Sequence, residues 1–88
     1  MITAGTITVA TAGTRVQLSS DVVLVTNIKF KAPSGNTGLI AIGDSTVSMT
    51  NGYELGAGQT LEFARLVLSE IYVDAATNGD KVSWIAND

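Results

Sequence analysis

Polar and apolar side chains alternate with a period of two through most of this chain, the pattern of strands that turn one face to a core. In residues 6–11, Ile7 and Val9 oppose Thr6 and Thr8, and in 15–18, Val16 and Leu18 oppose Arg15 and Gln17. The longest run is 22–32. There Val22, Leu24, Thr26, Ile28 and Phe30 share one face, and Val23, Val25, Asn27, Lys29 and Lys31 share the other. Residues 37–43 form a short apolar strand, and 46–49 continue with Val47 and Met49 on one side. In 60–66, Leu61 and Phe63 oppose Glu62 and Ala64; in 71–74, Ile71 and Val73 oppose Tyr72 and Asp74. The last strand, 81–86, sets Val82 and Trp84 against Ser83 and Ile85.

Turn chemistry separates these runs. Ala12-Gly13, Pro33-Ser34-Gly35, Gly56-Ala57-Gly58 and Asn78-Gly79 read as turns, and Asn51-Gly52 reads as a tight turn whose residues tolerate positive φ. Gly43 inside a strand pattern marks a bend or bulge. No window carries a helical period. About eight short strands closely spaced along one chain predict an all-β fold, a small β-sandwich or barrel, with serial-hairpin, Greek-key and jelly-roll connections all compatible. The 88 residues suit one domain, 1–88, with residues 1–6 a candidate N-terminal arm.

Composition narrows the chemistry. The chain has no cysteine and no histidine, so the familiar Ser-His and Cys-His nucleophiles cannot be built and a structural zinc site has no ligand set. Lys29, Lys31 and Lys81 have no catalytic motif around them. The stretch Asp74–Asp80 comes nearest to a calcium loop and reads more simply as a polar hairpin turn. Gly56 and Gly58 lack the third glycine, the lysine and the helix of a phosphate loop. We therefore expect no enzyme, no metal and no cofactor. A net charge of −3 with five scattered basic residues argues against nucleic-acid binding. No apolar run approaches the ~20 residues that span a bilayer, and no signal-peptide pattern opens the chain. No membrane partner is expected.

A chain this short buries only about 60–65% of its unfolded surface, so its core is thin and association is a natural aid. Phe30, Phe63 and Trp84 are expected in the core. Val23, Val25, Leu39, Leu66 and Ile85 fall opposite the core faces and would form an apolar outer surface. Tyr72 and Tyr53 are interface candidates because aromatics with a polar tip favour protein contacts. Lys29 and Lys31 share one face and could rim an acidic partner.

The second half adds a resemblance. Gly38-Leu-Ile-Ala-Ile-Gly-Asp-Ser-Thr-Val, Asn51-Gly-Tyr-Glu-Leu-Gly-Ala-Gly-Gln-Thr-Leu-Glu and Glu70-Ile-Tyr-Val-Asp-Ala-Ala-Thr-Asn-Gly-Asp-Lys-Val-Ser-Trp-Ile resemble small virion proteins of tailed bacteriophages. The likeness covers roughly 37–85 and lies in turn and core positions. It implies a jelly-roll-like sandwich that decorates, or cements, a capsid. On that basis the expected partners are the major capsid protein and further copies of the chain as a homotrimer. The expected place is the capsid surface of the virion, after synthesis in the host cytoplasm. Tail, fibre or adaptor roles are the nearest alternative. A carbohydrate-binding module is a third, disfavoured because its single tryptophan is expected in the core.

Overall fold

The computed structural model describes residues 2–87. Eight strands follow one another: β1 (Ile2–Thr8), β2 (Val16–Gln17), β3 (Leu24–Lys31), β4 (Ile40–Gly43), β5 (Tyr53–Leu55), β6 (Thr60–Val67), β7 (Tyr72–Ala75) and β8 (Lys81–Asn87), with one 3-10 turn at Leu68–Glu70. They form two four-stranded antiparallel sheets, ordered β1-β8-β3-β6 and β2-β7-β4-β5. The pairs β1·β8, β2·β7, β3·β6 and β4·β5 are nested one inside the next. The chain is thus one long antiparallel ribbon, rolled so that β8 meets β3 and β7 meets β4. That strand order is the eight-stranded jelly roll, and it selects among the connections the sequence left open.

Period two explains which residues face inward. On the first sheet, Gly5, Trp84, Phe30 and Leu61 lie in one row across the strands, and Thr3, Ala86, Ile28 and Phe63 in the next. On the second sheet, Val16, Val73, Ile42 and Tyr53 form a row. Phe30, Ile40, Val73 and Val82 are wholly buried between the layers. Trp84 fits because its cross-strand neighbour is Gly5, where a Cβ would stand 3.1 Å from the indole Nε1. The outer face of the second sheet is covered by the chain's own loops. Val47 lies over Gly43 and Gly52, while Gly13 donates its amide to Asp74 Oδ1 at 3.0 Å.

Several sequence expectations need correction. The fifth strand is not 46–49 but β5, on the far side of the turn. That turn is closed by reciprocal backbone bonds between Ser48 and Asn51, so its tip is Met49-Thr50. Gly52 does not take a positive φ; it is glycine because a Cβ there would stand 2.6 Å from Val47 Cγ2. Residues 2–6 are not an arm but the body of β1, and Met1 lies outside the described residues.

The largest correction is in β3. Val25 and Ile28 are both buried although three residues apart, so the alternation breaks between them. The ladder to β6 runs through Val25↔Leu66 and Asn27↔Ala64 and skips Thr26 and Arg65. Arg65 has φ 56°, the only positive-φ non-glycine among the described residues. One left-handed residue turns both strands by one position. Val25 therefore belongs to the core, and Leu66, opposite it, packs against the core from the rim. Neither is outer surface. Leu24 and Val22 are displaced outward, to 56% and 82% exposure.

Candidate interaction surface

The remaining candidates scatter over the molecule. Lys29, Lys31 and Ile85 come together on the open face of the first sheet, where Lys29 is paired with Ile85 in register. The Lys29 ammonium lies 3.7 Å from Glu62. Both side chains are well exposed, so solvent screens the pair and it fixes little. Val23 sits in the loop that enters β3, where its carbonyl accepts from the Leu68 amide. Leu39 sits at the opposite end of the sandwich, where its carbonyl accepts from the Ala76 amide. These two are exposed but isolated from one another.

A more organised surface lies at the flank formed by the edge strands β5 and β6. The two sheets part there and leave an apolar groove of about 290 Å³. Its rim carries Tyr53 and Phe63, its floor Phe30, Ile42 and Ile71, and Leu66 closes one side. Tyr53 and Phe63 end the two inward-facing rows given above, so each points towards the core yet remains at least half exposed. This is core that has run out of protein to cover it. Sequence reasoning placed Phe63 inside because it alternates correctly. It missed that β6 is an edge strand, which only the long-range topology decides.

The groove has an acidic lip. Asp44 and Glu70 border it and also border an adjoining cleft that contains Tyr72, Ser45 and Ser69. The Thr46 hydroxyl and amide both donate to Asp44 Oδ1, at 2.6 and 2.9 Å. The hydroxyl bond foremost holds the Asp44 carboxyl below its ordinary range, which keeps the lip charged. Tyr72 is half-buried on β7 and reaches this lip from the other side, so it and Tyr53 share one neighbourhood. The Val22-Val23-Leu24 segment adds an apolar tip at the entrance to β3, where Leu24 is registered with Val67 of the same groove.

The acids of 74–80 have structural partners. Asp80 accepts the Thr37 amide on Oδ1 at 2.9 Å and the Gly38 amide on Oδ2 at 2.8 Å. Asp74 accepts from Gly13 and Ala75. Among the described residues no group of three or more acidic side chains is placed to hold a metal ion. Among the described residues no helix is long and apolar enough to cross a membrane. The chain matches no protein-family model and no curated protein.

Proposed function

We propose that this protein is a structural subunit of a tailed-bacteriophage virion, seated on the outside of the capsid. There it binds the major capsid protein, associates with its own copies as a homotrimer, and stabilises the shell by bridging neighbouring subunits. The observation that carries the proposal is the open groove at the β5/β6 flank. Tyr53 and Phe63 are the kind of side chain that anchors protein interfaces, and the charged lip of Asp44 and Glu70 supplies orientation. The resemblance over 37–85 names the partner. The core is as thin as the short chain implies, and no thinner than in other monomers of this mass. The folded chain exposes 4815 Å², close to the roughly 4,900 Å² expected of a compact monomer of this mass. The case rests on where apolar side chains sit, not on how many are uncovered.

Imaging of the purified particle tests the proposal. Density over the capsid lattice is expected, and density confined to the tail would favour the tail, fibre or adaptor role instead. Particles reconstituted with the Tyr53→Ala/Phe63→Ala double variant should lose the added density, with the circular-dichroism spectrum unchanged. A second function draws on the same groove. Two exposed aromatics beside two acids also suit a carbohydrate ring, and a clear hit on a glycan array, abolished by Phe63→Ala, would favour that module over the virion subunit.

A further inference from the structure

The two sheets leave four strand edges, and three of them are protected. β2 is two residues long and β5 three, too short to template another strand. β6 is long, but it carries Glu62 and Arg65 and is broken by the left-handed Arg65. β1 differs from all of them. Its seven residues, Ile-Thr-Ala-Gly-Thr-Ile-Thr, run unbroken from Ile2 to Thr8 with no charge, no proline and no bulge in their register to β8. Monomeric sheet proteins rarely leave such an edge open.

The free edge has a definite polarity. Val9 continues the strand, donating its amide to Asp80 and accepting from Gly79, so its polar groups face the β8 side. Backbone groups alternate sides along a strand. Thr3, Gly5 and Ile7 therefore bond to β8, and Ile2, Ala4, Thr6 and Thr8 turn their N–H and C=O outward. All four are exposed.

We propose that β1 is a pairing edge for a second copy of this chain, joined antiparallel about a two-fold axis at Gly5. That register sets Ile2 opposite Thr8, Thr3 opposite Ile7 and Ala4 opposite Thr6 of the other copy, with Gly5 facing Gly5. It places outward-turned residues against outward-turned residues, as the hydrogen-bonded pairs of an antiparallel ladder require. β-branched residues meet β-branched residues at the ends, small residues meet near the axis, and no like charges are brought together. A strand whose charges were all of one sign would repel itself in this arrangement; β1 carries none. The contact is small. A seven-residue strand is about 23 Å long, and one such edge covers well under the ~1,000 Å² of a stable interface. Pairing is therefore weak in dilute solution and gains strength where copies are held close together. It is a two-fold contact, separate from the three-fold contact of the proposed homotrimer, and does not depend on the virion function.

The test is analytical ultracentrifugation of the full chain from about 10 µM to 1 mM, the range over which weak pairing is populated. Amide exchange is followed by NMR alongside it. Amides of Ala4, Thr6 and Thr8 should gain protection as concentration rises, by more than those of Gly5 and Ile7, which already bond to β8 and gain only through slower opening of the strand. The Ala4→Lys/Thr6→Lys variant opposes two like-charge pairs and should weaken the association about tenfold. The Ala4→Lys/Thr6→Glu variant carries the same substitution load with opposite charges facing, and should restore it. A chain with no concentration-dependent protection of those three amides overturns the proposal, as does an association indifferent to the charge pattern. Neither result touches capsid binding, which particle imaging reads separately.

Discussion

Asp80 offers the sharpest test of how the loops are held. It is only 5% exposed, and both carboxylate oxygens accept backbone amides from the β3–β4 connection. The same connection is fastened a second time. The Asn36 side chain donates to the Lys81 carbonyl at 2.8 Å and accepts the Lys81 amide at 2.9 Å. Burying a carboxylate is costly, and two amide donors offset that cost. Each charge-assisted bond contributes roughly 1.5–3 kcal/mol. Asp80→Ala removes both and strands two donors, so a loss of about 3–5 kcal/mol is expected. The whole fold, at ordinary stability per residue, holds only about 4–13 kcal/mol. Asp80→Asn keeps the shape but turns an NH₂ group towards one of the two amides, and about 2–3 kcal/mol should go. Urea unfolding followed by tryptophan fluorescence reads both, as a fall in midpoint at constant slope. Asp21→Asn, at an exposed site, is the control. An Asp80→Asn variant within about 0.5 kcal/mol of the parent, the scatter of ordinary surface changes, would refute the clamp.

Three further outcomes follow from the packing. Val25→Ala, in the core, should cost roughly 2 kcal/mol, and Val22→Ala, on the surface, less than about 0.5; the reverse order in urea melts would reject the break at Arg65. Gly5→Val should force the Trp84 indole aside, lowering stability by about 1–3 kcal/mol and shifting the tryptophan emission, because overpacking strains a filled site. Asp44 titrates below its ordinary value of 3.8, so its contribution to stability is present above the unfolded value and fades as pH falls through the lowered folded one. Thr46→Val should raise the Asp44 titration midpoint measured by carbon NMR, and an unmoved midpoint would remove the hydroxyl bond as its cause.

Much of this structure was legible where polarity alternates cleanly. In β8, Lys81, Ser83 and Ile85 stand against Val82, Trp84 and Ala86, and the buried set follows that order. Gly13, Gly58 and Gly79 all adopt positive φ in turns marked by composition. The wrong face assignments in β3 have one physical source. Val22-Val23-Leu24-Val25 contains no polar residue, so its parity can only be extended backwards from Ile28 and Phe30. The extension crosses the break at Thr26 and Arg65 and so reverses Leu24, which is exposed, and Val25, which is buried. Nothing in a lone arginine signals a left-handed conformation, which costs a side-chain-bearing residue energy and arises from long-range pairing. The groove was hidden for the same reason. Tyr53 and Phe63 become neighbours only because β5 and β6 end up as edges on one flank.

The nested ribbon also implies an order of local stability. β4·β5 closes a short loop, whereas β1·β8 joins the two ends of the chain and carries the largest closure entropy. β1 gains little in return, since its inward residues Thr3, Gly5 and Ile7 are small or only half-buried. β3 and β8, each paired on both sides and bearing Ile28, Phe30, Val82 and Trp84, hold the centre. Hydrogen exchange should therefore be slowest in β3 and β8 and fastest in β1, as local opening needs only the contacts it breaks. A strand that opens cheaply and presents a neutral edge gains most from a neighbour. Protection of β1 equal to that of β3 in the dilute monomer would mean the edge is already stable, and would leave pairing with little to add.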